Sequence, residues 1–124
     1  MEIGSHTYSH FHLIHLDQKR IKWELEQSKK ILEDQLGEVI TLLSYPFGYF
    51  NGLVVMIAKE VGYHYGASTI HRGVCKNDNP LILPRFYANY DTTEILAQKI
   101  YGVRDWEGWL QEKIPLWLTH IIRF

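Results

Sequence analysis

The segment that is most informative about the fold is Val39-Ile40-Thr41-Leu42-Leu43-Ser44-Tyr45, which is followed directly by Pro46-Phe47-Gly48. The run is apolar and partly β-branched, and it is too short for a typical helix. Such a segment is characteristic of a strand that is buried on both faces. The proline and the glycine behind it predict a turn at the end of that strand.

A helix is predicted on each side of this strand. Before it, apolar residues recur at helical spacing after Asp17, a candidate N-cap, and Gly37 ends the pattern. After it, Asn51 caps a second predicted helix that runs from about Gly52 to Val61 and stops at Gly62.

The remaining segments continue the alternation of strands and helices. Short strands are predicted at Glu2-Ile3, from Tyr63 to Ser68 and at Leu81-Ile82-Leu83, and Thr69 to Pro80 is expected to be a loop. Asp91-Thr92-Thr93-Glu94 resembles a capping box that opens a helix to about Tyr101, and helical pieces are expected from Arg104 to Phe124. The order predicts an α/β fold with parallel strands.

Composition bounds the class of protein. The chain has 124 residues, which fits one domain, and 46% of them are hydrophobic and 22% charged, as in a globular protein. A formal net charge of -1 gives no reason to expect a nucleic acid or an anionic membrane as partner. No apolar run reaches the roughly 20 residues of a membrane span. The single cysteine, Cys75, excludes an intrachain disulfide, and Met1-Glu2-Ile3-Gly4 does not look like a signal peptide, so the localisation stays open.

Histidines cluster in the predicted loop from Ser5 to about Leu16. His6 and His10 are four residues apart, a spacing at which a turn or a tight loop can bring both rings to one side. Neutral imidazole is a common ligand of zinc and also suits nickel, cobalt or iron. The spacing alone leaves a metal site and an incidental pair equally open. For His12 and His15, a solvated or capping role is the better interpretation.

Three segments together resemble the polysaccharide deacetylase family, the NodB-homology carbohydrate esterases. The run from Glu2 to His10 is similar to the family's His-(Ser/Thr)-x-x-His motif, and Leu43-Ser44-Tyr45-Pro46-Phe47-Gly48-Tyr49 to its motif in the "SYPFG" form. Leu83-Pro84-Arg85 resembles an "LPR" segment that often follows. The stretch Ser28-Lys29-Lys30-Ile31-Leu32-Glu33 also fits a family pattern, and the resemblance covers roughly residues 1 to 101.

The resemblance implies a role for individual residues. His6 and His10 would hold a divalent metal, most often zinc. The backbone amide of Phe47 would belong to an oxyanion hole, and Arg85 would keep a catalytic carboxylate charged. His120, in Leu118-Thr119-His120, is a candidate general acid at an unusually late position. Alternatively, Phe47 would form a wall of the cleft, and Arg85 would form an ordinary surface salt bridge.

The chain also departs from the family's pattern. Ser44 stands where many members have an arginine, and no adjacent Asp-Asp pair occurs, although the family takes its third metal ligand and its general base from one. Residues 1–124 are therefore interpreted as the C-terminal part of a deacetylase-like domain, an incomplete (β/α) barrel without its first strands. An open barrel edge favours a homo-oligomer that covers it.

The expected function is metal-dependent removal of acetyl groups from an N-acetylglucosamine-containing polysaccharide. Activity of the isolated chain is expected to be weak or absent, because the acidic residues are missing. Two alternatives stay open: a carbohydrate-binding pseudo-enzyme or a fragment completed by a partner chain, and a structural protein in which the histidine pair is incidental.

Overall fold

The computed structural model of the chain describes residues 1–86, 88, 91–102 and 105. These residues form two compact units. The first comprises Met1–Ser68 and Asp78–Leu83, and the second comprises Thr69–Asn77 and the described residues from Pro84 onward. Within the described residues, no helix is both long and apolar enough to cross a membrane.

The two long helices of the first unit have the bounds that their capping residues predict. Helix α1 spans Gln18–Leu36, the carboxylate of Asp17 accepts the amide of Arg20, and Gly37 closes the helix with φ 70°. Helix α2 spans Gly52–Val61, and the Asn51 side chain accepts the amide of Val54. Gly62 ends α2 with φ 96°. Glycine accepts this left-handed conformation without steric cost, which confirms the predicted stops.

The strands are parallel but shorter than predicted. Strand β1 spans Leu42–Ser44 and strand β2 spans Tyr65–Ala67, with Leu43 opposite Gly66. Single parallel bridges extend the pairing on both sides, from Ser5 to Leu43 and from Ala67 to Leu83. Four consecutive segments thus run side by side in chain order, as the α/β prediction requires.

The predicted strands at residues 2–3 and 81–83 are wrong as strands. Residues 2–3 form no bridge, and the bridge that follows them is at Ser5, whereas residues 81–83 contribute a single bridge at Leu83. Pro80–Ile82 instead forms a short 3₁₀ helix, since the Asn79 side chain accepts the amide of Leu81 at 3.0 Å. The core of this unit lies between the helices and the strands. Its buried side chains are Leu13, Ile21, Leu25, Ile40, Leu43, Tyr45, Val54, Ile57, Ala58, Tyr63 and Leu81.

In the second unit, helix α3 spans Thr93–Ile100 and confirms the predicted helix. Its cap is Thr92, whose hydroxyl accepts the amide of Ile95 at 3.4 Å. Glu94 is therefore the second helical residue and not the third, so the predicted capping box is wrong. Asp91 instead pairs with the buried Lys99 at 2.6 Å. The expected helical tail lies outside the described residues, apart from Asp105.

Candidate metal centre

His6 and His10 turn their rings toward each other. The two Nε2 atoms are 3.1 Å apart, and both side chains are exposed. His6 Nδ1 lies 2.7 Å from the carbonyl oxygen of Ser44. A carbonyl only accepts hydrogen bonds, so Nδ1 of a neutral His6 carries the proton and Nε2 keeps its lone pair. A carbonyl that fixes the tautomer in this way is the usual support of a metal-binding histidine.

The spacing of the two nitrogens fits a shared metal ion. Two nitrogens that bind one zinc at a tetrahedral angle lie about 3.3 Å apart, because each Zn–N bond is about 2.0–2.1 Å long. The observed 3.1 Å between the Nε2 atoms is within a few tenths of an ångström of that value. It is also the length of a hydrogen bond from a protonated His10 Nε2 to His6. In the part of the chain that the structure describes, no group of three or more His, Cys, Asp or Glu side chains could hold a metal.

The loop that carries the pair has an unusual backbone. Three non-glycine residues have positive φ: Thr7 at 67°, His10 at 57° and Phe47 at 59°. The left-handed conformation costs about 1–2 kcal/mol per residue, and for a β-branched residue such as Thr7 it is a true outlier. Outliers of this kind concentrate at functional sites. Here they lie in the two segments that follow the parallel bridge at Ser5 and strand β1. The carboxyl ends of parallel strands are where α/β proteins bind ligands.

Side-chain oxygens hold the amides of this loop. Ser5 Oγ accepts the amide of Thr7 at 3.3 Å, and Thr7 Oγ1 accepts the amide of His10 at 3.2 Å. The amide of Ser9 donates to Glu24 Oε2 at 2.8 Å. These bonds compensate part of the conformational cost of the loop. The role of Glu24 was not predicted from the sequence, although Glu24 belongs to the buried stripe of α1 that includes Ile21 and Leu25.

A buried network of polar side chains is bonded to Ser5, the first residue of the histidine loop. Ser5 and Ser28 share a hydrogen bond at 2.7 Å, and the Tyr63 hydroxyl lies 3.4 Å from Ser28 Oγ. Tyr63 OH donates to the carbonyl of Leu25 at 3.1 Å. Burial raises the pKa of Tyr63, so its hydroxyl stays a donor at neutral pH. Ser28, the first residue of the Ser28–Glu33 pattern, thus stabilises the histidine loop through its hydrogen bond to Ser5.

The other polar residues of that pattern fix the start of β1. Lys29 Nζ pairs with Glu33 Oε1 at 2.7 Å, and the same oxygen accepts the amide of Ile40 at 2.9 Å. Lys29 Nζ also donates to the carbonyl of Ile40. The hydrogen bond from Lys29, together with that from the Ile40 amide, lowers the pKa of Glu33. With both backbone groups of Ile40 bound to side chains, the strand begins only at Leu42.

Phe47 lies against the histidine loop. Its ring stacks on His12 at 3.9 Å between centroids, with 7° between the planes, and lies 4.7 Å from the ring of His10. His12 also stacks on Tyr49 at 5.4 Å. His12 is half-buried and makes no side-chain cap, so the predicted solvated or capping role is wrong, whereas His15 is exposed. The oxyanion role of the Phe47 amide stays a prediction.

The other two predicted site residues fall outside the first unit. Arg85 belongs to the second unit, where its side chain is exposed and its amide donates to the carbonyl of Ile70 at 2.9 Å. His120 lies outside the described residues. Arg85 and His120 therefore keep the roles that the resemblance implies only as predictions.

Parallel strands joined by helices, with a paired-histidine loop at their carboxyl ends, define an α/β protein with a candidate metal centre. A family model described as polysaccharide deacetylase matches residues 1–66, more than half of the chain. The chain belongs to the polysaccharide deacetylase family.

Individual relatives agree with this assignment. A Bacillus subtilis protein named as a polysaccharide deacetylase, YxkH, is 32% identical over 69 residues, which is 56% of this chain and 25% of that protein. A chitin deacetylase from Pestalotiopsis sp is 36% identical over 63 residues, which is 51% of this chain and 21% of that protein. The chain thus matches about a quarter of the length of these curated relatives.

Solved structures extend the comparison. The Streptococcus pyogenes deacetylase PplD, solved in complex with acetate, has a TM-score of 0.72 and 26% identity, over 77% of this chain and 43% of that one. A polysaccharide deacetylase from Bacillus cereus has a TM-score of 0.69 and 27% identity, over 80% of this chain and 32% of that one. Both similarities confirm an α/β fold of the NodB type.

Proposed function

We propose that this chain contributes the histidine half of a metal-dependent deacetylase site that acts on N-acetylglucosamine-containing polysaccharides. The observation that carries the proposal is the distance of 3.1 Å between the Nε2 atoms of His6 and His10. The hydrogen bond from His6 Nδ1 to Ser44 supports it, since it leaves the lone pair of His6 directed at His10. Membership of the polysaccharide deacetylase family supplies the reaction class.

Each proposed residue has one task. His6 and His10 would hold a divalent metal, most often zinc, through Nε2. When bound, that metal would polarise the acetamide carbonyl as a Lewis acid and would lower the pKa of a water molecule bound to it. The Phe47 amide would donate to the carbonyl oxygen as negative charge develops on it. Arg85 would keep a carboxylate charged, and His120 would protonate the leaving nitrogen. The products would be acetate and a glucosamine unit.

We also propose that the chain by itself catalyses the deacetylation only weakly. Two histidines bind zinc less tightly than three ligands do, and a general base alone contributes roughly 10²–10⁴-fold to the rate. The sequence has no adjacent Asp-Asp pair that could supply the missing ligand and base. We therefore interpret residues 1–124 as the C-terminal part of a deacetylase-like domain, an incomplete (β/α) barrel. A homo-oligomer or a partner chain would cover its open edge.

A second candidate function is carbohydrate binding without catalysis. Exposed aromatic rings favour it, because Tyr8 is 54% and Phe47 47% exposed beside the histidine pair. Flat apolar rings of this kind suit the faces of sugars. In this alternative the histidine pair would be joined by a hydrogen bond and would hold no metal.

Zinc content and acetate release, measured together, separate these functions. The wild-type chain is expected to bind zinc, and to release little or no acetate from N-acetylglucosamine oligomers. His6→Ala and His10→Ala should lose the zinc, whereas His64→Ala, at another exposed histidine, should retain it. Unchanged zinc content in His6→Ala would refute the ligand assignment. Oligomer binding without zinc would favour the carbohydrate-binding alternative.

A further inference from the structure

Glu24 is unusual because it is a carboxylate on a helix whose side chain is not exposed to solvent. Its side chain is fully buried on α1, in the stretch that also buries Ile21, Leu25 and Ser28. Glutamate is almost never fully buried unless partners replace the water that it loses. The residues around Glu24 must therefore replace the water that a carboxylate loses on burial.

The two oxygens of Glu24 have different surroundings. Oε2 accepts the amide of Ser9 at 2.8 Å. Oε1 is buried and forms an ion pair with Nη2 of the half-exposed Arg20 at 2.9 Å, but it accepts no hydrogen bond from the described residues. The Arg20 guanidinium in turn lies 4.2 Å over the ring of Trp23. Trp23 meets Tyr8 edge to face at 5.0 Å between centroids. The first turns of α1 thus hold two consecutive residues of the histidine loop, one by its ring and one by its amide.

The residue that follows these two is His10. Its backbone is in the left-handed region, with φ 57°, and its own amide is bound to Thr7 Oγ1 at 3.2 Å. A residue in such a conformation persists only where several contacts determine it. Glu24 directly fixes the peptide group between Tyr8 and Ser9, which is next to the peptide group that joins Ser9 to His10. Loss of that bond would leave the Ser9 amide without its acceptor and would free His10 to return to a relaxed backbone.

We propose that Glu24 is a positioning residue. It keeps Nε2 of His10 close enough to Nε2 of His6 for both atoms to bind one metal ion. The proposal rests on the proposed function, in which these two histidines bind the metal. Glu24 acts through the backbone of Ser9 and not through a histidine side chain. This distinguishes it from the usual support of a metal ligand, which bonds to the imidazole ring itself.

Three variants of the full chain test this role. Glu24→Leu removes the acceptor, whereas Glu24→Gln keeps an oxygen that can accept the Ser9 amide. Glu33→Leu is the matched control. Like Glu24, Glu33 pairs with a basic residue four positions earlier on α1, which is Lys29, and it accepts one backbone amide, that of Ile40. Its amide partner is not part of the histidine loop.

The first measurement is the affinity for zinc alone, by titration calorimetry. Glu24→Leu should bind zinc about 10–100-fold more weakly than wild type, the range for outer contacts of metal ligands. Glu24→Gln should stay within a few-fold of wild type, and Glu33→Leu should lose stability but keep its zinc affinity. Wild-type affinity in Glu24→Leu, or an equal loss in Glu33→Leu, would overturn the role.

The second measurement needs neither metal nor a drastic substitution. Hydrogen exchange of the Ser9 amide should be slow in wild type and in Glu24→Gln, and exchange at the rate of an open peptide would refute the contact. If Glu24→Leu does not fold, the exchange rate of the Ser9 amide in wild type still tests the proposal, because fast exchange there would refute the contact and the positioning role with it. Absence of zinc binding in wild type would refute the ligand assignment and the positioning role together. A protected Ser9 amide in that same sample would then locate the failure in the proposed function and not in the Glu24 contact.

Discussion

Alanine at Gly66 is expected to destabilise the first unit more than any ordinary surface change. A Cβ there would lie 2.3 Å from the carbonyl oxygen of Leu81 and 2.9 Å from Tyr45 Cε2. Carbon–oxygen contacts need about 3.3 Å or more, so the Leu81 carbonyl would have to move by about 1 Å. That carbonyl accepts the Tyr45 hydroxyl at 2.8 Å, and Gly66 O accepts the amide of Leu83 at 2.6 Å.

The cost adds overpacking to weakened hydrogen bonds. Overpacking of a filled core costs about 1–3 kcal/mol, and each weakened bond costs about 1 kcal/mol, so the free energy of unfolding should fall by about 3 kcal/mol. Urea denaturation of Gly66→Ala measures this loss. Gly52→Ala is the control, because a Cβ at this first residue of α2 meets no atom within 4 Å. It should leave stability unchanged or raise it by up to about 1 kcal/mol. Equal urea midpoints for Gly66→Ala and wild type would refute the close packing of β2 against residue 81.

Three further predictions concern buried or paired ionisable groups. Tyr63→Phe should lower the free energy of unfolding in urea by about 1 kcal/mol, because it removes the bond to the Leu25 carbonyl, and an unchanged midpoint would contradict this. Burial raises the pKa of Tyr45 to about 12, above its ordinary value of 10.0, so the stability should fall between these pH values, and Tyr45→Phe should flatten that fall. The pKa of Glu33 is lowered from 4.5, so its pairing stabilises the fold above that pH and is lost as pH falls below it. Glu33→Gln should therefore show a shallower acid loss of stability, and an acid slope as steep as in wild type would count against the pairing.

The helices of the first unit were predictable because their ends depend on local chemistry. Asp17 and Asn51 each accept an amide three residues ahead, and Gly37 and Gly62 each adopt a left-handed conformation. These interactions span at most one turn, so the sequence around each end contains all the atoms involved. Apolar spacing then assigns the stretch between the caps to a helix.

The strands were less predictable because distant side chains compete for their backbone. Ile40 is apolar and β-branched, yet Lys29 and Glu33 bind its carbonyl and its amide, which removes it from β1. Asn79 captures the amide of Leu81 and turns the following apolar run into a 3₁₀ helix. Neither competition follows from periodicity, since each depends on where a side chain lies after folding.

The candidate site divides in the same way. The approach of His6 and His10 was foreseen as one consequence of their spacing, and the structure brings their rings together. The buried partners of the loop were not foreseen, because Glu24 reads as one more charge on an amphipathic helix. Its position three residues after Ile21 and one before Leu25 was the available signal, since a charge on an apolar stripe has to find partners.

The support of the histidine pair argues that its geometry precedes metal binding. Ser44, Thr7 and Glu24 hold the pair and its loop by hydrogen bonds that require no ion, and all three belong to the first unit. A ligand set held in place before binding saves the conformational entropy of ordering it. A third ligand and a base, from whatever segment they come, would therefore meet two nitrogens that already stand at nearly the separation a shared zinc requires. On this reasoning the conformational cost of completing the site falls mainly on the acidic residues and not on the histidines.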